Sequence, residues 1–217
     1  MFASLSLEIK QFSEQLSKKI ERGEDIALIV DSTGLRFGKA SDWYQTKYGK
    51  PSKLKPWRKM HLSMDPEMNI HCLKITPCDI SDIKVLNELI PEGIRINKLL
   101  GDAGYYGIEE TESLMGKGIT PVIPPPPQSV VHGKENTKWH DKIVQYIKDK
   151  GSIYPFHKKY GYGQRSLVET QFSRIKRCIG SSLLTQRDIS QKNEGIIIAN
   201  LINIWNSFGR PVSVKTR

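Results

Sequence analysis

The chain has 217 residues, 38% of them hydrophobic and 26% charged, which is the balance of an ordinary soluble globular protein with one sizeable domain or two small ones. The net charge of +10 and pI of about 9.4 favour a polyanionic partner, nucleic acid foremost. An odd set of cysteines (Cys72, Cys78, Cys178) without a CxxC pair excludes a zinc signature. The absence of a basic leader, with a longest apolar run (196–204) broken by Asn200 and Asn203, argues against a signal peptide and a membrane span.

Residues 5–22 are predicted helical, because Ile9, Phe12, Leu16 and Ile20 recur at spacings of three and four before Gly23. IALIV (26–30) is a short continuous apolar run, the mark of a buried strand, and Asp31-Ser32-Thr33-Gly34 reads as its end. Residues 34–57 are polar and aperiodic, a long loop. Strands at 61–64 and 70–76 flank Asp65-Pro66-Glu67, which predicts a hairpin. Ser81 can cap a helix through Val85, Leu86, Leu89 and Ile90.

A strand over 94–100 ends at Gly101-Asp102, and a helix over 107–116 and a strand over 119–123 follow. Pro124–Pro127 reads as a stiff connector. Helices are then expected over 138–150, 163–179 and 194–208. Strands interleaved with helices give an α/β layer fold, and the early hairpin makes the sheet mixed rather than parallel.

In open α/β sheets, functional side chains collect beyond the carboxyl ends of strands. Asp31 follows IALIV and Asp102 follows INKLLG. An Asp in either place can also be a turn residue or helix cap, and Gly101 and Gly104 strengthen that reading. On the helix after residue 162, Val168, Phe172, Ile175 and Ile179 make one apolar face, with Tyr162, Arg165, Glu169 and Lys176 along its border. Packed on a sheet, that border would bring Glu169 towards Asp31 and Asp102. Three clustered carboxylates repel one another and call for a cation, and hard oxygen donors without a Cys/His set suit Mg²⁺ or Mn²⁺. The plainer alternative is that Glu169 only pairs with Arg165 at i, i+4.

Tyr162, two residues, Arg165, three residues, Glu169, six residues and Lys176 together resemble the signature of DDE transposases of bacterial insertion sequences, in the insertion-sequence-4/5-like group. Asp31 in DSTG and Asp102 in LLGDAGYY match the two other acidic positions. WRKMHLSMDPEMNIHCLKIT (57–76), TPCDISD (76–82) and LLTQRDISQKNEG (183–195) are similar to further segments of that family, so the likeness spans about residues 26–206. The resemblance implies a ribonuclease-H-like mixed sheet flanked by helices. It implies a metal-binding catalytic triad of Asp31, Asp102 and Glu169 holding Mg²⁺ or Mn²⁺, with two ions expected. It implies cleavage of DNA strands and transfer of a 3′-hydroxyl to target DNA, by a homodimer on DNA in the bacterial cytosol, associated with the nucleoid and with no membrane partner. Tyr162, Arg165 and Lys176 would sit near the DNA end.

Two departures from that pattern stand out. Tyr106 falls where the family commonly has an acid, and PPPPQSVV (124–131) falls where its loop is usually basic. The expected organisation is an N-terminal helix (1–24) that is the remnant of a DNA-binding region, the catalytic domain (25–209) and a tail (210–217). Only about 30 residues precede Asp31, where relatives carry a helical DNA-binding region, so a second expectation is a decayed fragment that only binds DNA. GKPSKLKPWRK (49–59) surrounds Trp57 with Lys50, Lys53, Lys55, Arg58 and Lys59, a pattern that suits a DNA backbone and a base face, or else a solvated loop anchored by Trp57. The histidines show no metal spacing, and packed or surface roles are expected for His61 and His71. Glu194 resembles a recurrent acid of the family and is not expected to be catalytic.

Overall fold

The computed structural model describes residues 7–37, 47, 49 and 57–209. Most of the predicted loop, with Lys50, Lys53 and Lys55, and the tail 210–217 lie outside the described residues. The strands are β1 (Ile26–Phe37), β2 (Trp57–Met64), β3 (Ile70–Pro77), β4 (Ile96–Leu100), β5 (Thr120–Val122) and β6 (Ser182–Leu183). Among the described residues they form one mixed sheet in the order β3-β2-β1-β4-β5, with β6 beside the far end of β1. β1 pairs antiparallel with β2 and parallel with β4. The mixed sheet read from the hairpin is therefore present, with helices on both faces, and it is the ribonuclease-H-like arrangement.

The helices are α1 (Glu14–Glu21), α2 (Asp82–Val85), α3 (Ile108–Gly116), α4 (Lys138–Lys150), α5 (Tyr154–Tyr160), α6 (Ser166–Cys178) and α7 (Asp188–Ser207). β1 is apolar at consecutive positions because both its faces are covered. Ile29 packs into a core shared with Trp139 and Ile143 of α4, Phe156 of α5, Val168, Phe172 and Ile175 of α6, and Ile202 of α7. Leu28 and Val30 point the other way, into a core with Val85 of α2, Leu89, Tyr105 and Leu114.

Three expectations change. The first helix begins at Glu14, not residue 5, capped by the Ser13 hydroxyl. The residues before it run along α7, where Asn200 and Asn203 bind the backbone of Glu8 and Lys10. β1 does not stop at Asp31 but continues to Phe37, because β2 supplies backbone partners as far as Arg36 opposite Trp57. The helix read from residue 162 opens as a 3₁₀ turn over Tyr162–Arg165 and becomes α-helical at Ser166. α5 and β6 have no counterpart in the sequence reading.

Candidate active site

The parallel pairing of β1 with β4 sets Ile29 beside Leu100. Two residues further along each chain stand Asp31 and Asp102, so the register brings both acids to the same level at the sheet's carboxyl edge. Asp31 still lies within β1 and is held by the Ser32 N–H, which donates to its Oδ1 at 2.8 Å. Asp102 begins a 3₁₀ turn over Ala103–Tyr105, and its Oδ1 accepts from the Gly104 N–H at 2.9 Å. The turn-residue reading of Asp102 is thus correct as far as its backbone goes.

Side chains alternate along a strand. Asp31 and Thr33 therefore face α6 while Ser32 faces the opposite side of the sheet. Arg165, at the start of α6, donates from Nη1 to Asp31 Oδ2 at 3.0 Å and from Nη2 to Glu169 Oε1. Lys176, about three turns further on, donates from Nζ to Thr33 Oγ1 at 2.7 Å. The Tyr162 ring stacks on His157 with centroids 4.3 Å apart, and the Arg165 guanidinium lies 5.9 Å from the Tyr162 ring centre. The i, i+4 pair of the plainer reading forms, and the same arginine reaches across to Asp31.

The electrostatics follow from this packing. Burial pushes the Asp31 carboxyl up to about 6, the Ser32 N–H and Arg165 pull it down, and the charges of Asp102 and Glu169 push it up again. Burial also raises the Tyr162 hydroxyl, which stays protonated at neutral pH. In donor chemistry the set fits a hard divalent cation: three carboxylates, with no soft ligand among them. In geometry they are not gathered into a ligand cage. Among the described residues no group of three or more His, Cys, Asp or Glu side chains stands close enough to hold a metal ion. Glu169, 57% exposed, turns to Arg165, which lies between it and Asp31.

The basic residues at the start of β2 are placed elsewhere. Trp57 pairs opposite Arg36, five residues along β2 from Leu62, the partner of Asp31. It is partly exposed and packs close over Gly34, where a Cβ would come within 3.1 Å of its ring. Arg58 donates to Gln191 at 2.8 Å, pairs with Asp188 and lies over the Phe37 ring. Lys59 donates to the Ile80 carbonyl and to Asp82, both at 3.0 Å. Their charge therefore braces the sheet against α7 and α2. Tyr106 ties the Asp102 turn to α4 through His140 Nδ1. Glu194 binds the backbone of Leu184 and Thr185, a structural role. His61 and His71 are buried, as expected of packed residues.

The residue that the sequence reading passed over is Asp82, at the start of α2. Its Oδ1 accepts from Ser32 Oγ and Lys59 Nζ, each at 3.0 Å, and lies 3.5 Å from His61 Nδ1. The signal for it was TPCDISD, where Asp82 follows a serine and reads as an ordinary first-turn acid.

A ribonuclease-H-like sheet with acids beside its carboxyl edge and a basic helix across them defines a class of proteins that act on nucleic acid phosphates. Residues 22–204 match the family described as Transposase DDE domain, and the chain belongs to that family. It is thus a transposase of the kind that moves insertion sequences by DNA recombination, and members of the family generally use divalent metal ions. No solved structure matches the chain.

Proposed function

We propose that this transposase cuts DNA strands at the ends of an insertion sequence of the 4/5-like group and joins them to target DNA, with Asp31, Asp102 and Glu169 as its catalytic and metal-binding residues. The observation that carries this reading is the β1–β4 register, which levels Asp31 with Asp102 while α6 presents Glu169 and Arg165 to the same face. Asp31 and Asp102 would hold Mg²⁺ or Mn²⁺ from the sheet and Glu169 from α6. When bound there, such a cation stabilises charge on phosphate oxygens and makes water a better nucleophile. Arg165 and Lys176 bind phosphate, Arg165 in a bidentate fork and Lys176 as a point charge. Tyr162, held flat by His157, offers its free edge and hydroxyl near the DNA end. Trp57, with the Arg36 guanidinium 5.9 Å from its ring centre, supplies a stacking surface further out. The active form is a homodimer on paired ends, working on the nucleoid of the bacterial cytosol, as the family and the free cysteines support.

One observation favours a second reading, a decayed transposase that only binds DNA: Arg165, not a cage of acids, is what holds Asp31 and Glu169. Nicking of supercoiled plasmid in Mn²⁺ separates the two. Asp31→Asn is expected to stay folded and lose nicking by a factor of at least about 10³, the scale on which removing one electrostatic group from an active site acts. Nicking by the variant at the wild-type rate removes Asp31 from the site. An inactive wild type that binds DNA but no Mn²⁺ favours the relic.

A further inference from the structure

We propose that Asp82 is a positioning residue of this site, a fourth carboxylate that sets Asp31 from behind through Ser32. The inference rests on the reading of Asp31, Asp102 and Glu169 as the metal-binding acids. Each of the two strand-edge acids is held by one backbone N–H, Asp31 by that of Ser32 and Asp102 by that of Gly104. Asp82 stands behind the first donor and borders the residue that supplies the second. Its Oδ1 accepts the Ser32 hydroxyl at 3.0 Å, which fixes the residue whose N–H holds Asp31. Its Oδ2 lies 3.2 Å from the position a Cβ on Gly104 would take, and Asp102 Oδ1 lies 3.0 Å from the same point. The missing side chain at Gly104 is what lets the two carboxylates approach one spot.

An acid so close to others needs its own counter-charge, and the structure supplies it from the far face of the sheet. Lys59 pairs with Asp82 at 3.0 Å. The buried His61, anchored by Nε2 to Thr76 Oγ1 at 2.9 Å, turns its otherwise unpartnered Nδ1 towards the same oxygen. Hydrogen-bonded partners behind metal ligands orient them and tune their affinity. Here the partner acts on Asp31 through the hydroxyl of Ser32, whose N–H holds that acid. Its only relation to Asp102 is that both carboxylates border Gly104, so its loss loosens Asp31 while leaving both acids in the chain.

The test is Mn²⁺ titration by calorimetry on folded protein, with thermal melts of each variant and nicking of supercoiled plasmid across Mn²⁺ concentrations. Asp82→Ala is expected to bind Mn²⁺ about tenfold more weakly than wild type, the lower end of what such partners contribute. It is expected to regain near-wild-type nicking at high Mn²⁺, whereas Asp102→Asn stays inactive at any concentration. Ser32→Ala keeps every charge and the N–H to Asp31 but removes the hydroxyl by which Asp82 holds that residue. It is expected to weaken Mn²⁺ binding in the same direction, and it serves where Asp82→Ala fails to fold. If wild type binds Mn²⁺ and either Ser32→Ala or a folded Asp82→Ala binds it equally well, Asp82 is a structural residue and the proposal fails alone. If wild type binds no Mn²⁺, the three-acid reading fails and takes this proposal with it.

Discussion

Asp31 and Asp65 are both carboxylates buried against the β1–β2 pair, and their surroundings push them in opposite directions. Asp65 closes the β2–β3 hairpin. Its oxygens accept from the Asn69 N–H at 3.0 Å, from Asn69 Nδ2 at 2.9 Å and from His71 Nε2 at 3.3 Å. Burial alone would disfavour its ionisation, but the hydrogen bonds from His71 and Asn69 overcome that and hold its carboxyl below the usual carboxylate range. Asp31 meets a donor and a guanidinium too, yet two further acids face it and burial dominates, so its carboxyl is pushed up to about 6. A carboxylate whose surroundings are all donors locks a turn. One that ionises against burial and like charge keeps unmet demand for a cation, and that is what a functional acid looks like before its ligand arrives.

The contrast can be tested most strongly through stability. Asp65→Ala leaves His71 and Asn69 buried without their acceptor and is expected to cost about 3 kcal/mol at neutral pH. The depressed Asp65 contributes stability above its unfolded value of 3.8, and that contribution is lost as pH falls through its folded value. For Asp31 the sign is reversed. Its folded value lies above 3.8, so its ionisation costs stability, fully above pH 6 and not at all well below 3.8. In metal-free buffer at pH 7.5, Asp31→Asn is therefore expected to raise the melting temperature, and the gain should shrink as pH falls towards 4. Denaturant unfolding of both variants across that range checks the pair, and a loss of stability for both at pH 7.5 would erase the distinction.

A smaller effect is expected at Arg165. It holds Asp31 and Glu169 by the oxygens a cation would use. Arg165→Gln removes a like charge from the path of Mn²⁺ and is expected to tighten Mn²⁺ binding by DNA-free protein roughly threefold to tenfold, the scale of one partly screened charge a few ångströms away. Unchanged or weaker binding by calorimetry would mean that Arg165 organises the acids rather than competing for them.

Much of the fold was legible because its strands are local signals. IALIV, the Asp-Pro-Glu hairpin and the run into Gly101-Asp102 announce themselves by apolar composition and turn chemistry. The continuation of β1 past Asp31 did not, because Asp-Ser-Thr-Gly has turn propensity and is strand only through its pairing with β2. The site was half legible for the same reason. The spacing of Tyr162, Arg165, Glu169 and Lys176 is a property of one segment, whereas Asp82 matters only through Ser32, fifty residues away in the chain. Charge clustering could not show what Arg58 and Lys59 meet inside the fold, since a run of cations does not reveal that Asp188, Gln191 and Asp82 will pair with them.

Lys176 is the sharpest remaining contrast with that pair. All three cations have protein partners, but those of Arg58 and Lys59 include carboxylates, while among the described residues Lys176 makes one hydrogen bond, to the neutral hydroxyl of Thr33 at 2.7 Å. A carboxylate neutralises a lysine, whereas a hydroxyl only orients it, so the full positive charge of Lys176 remains available beside Asp31. Neutralising one phosphate releases about one counterion, so Lys176→Ala should weaken DNA binding and lower the slope of log K against log salt by about one unit. Lys59→Met should leave that slope unchanged, because its charge is already met by Asp82. Equal slopes for Lys176→Ala and wild type, measured by fluorescence anisotropy over a salt series, would place Lys176 away from phosphate and leave Arg165 as the cation that meets DNA on this face.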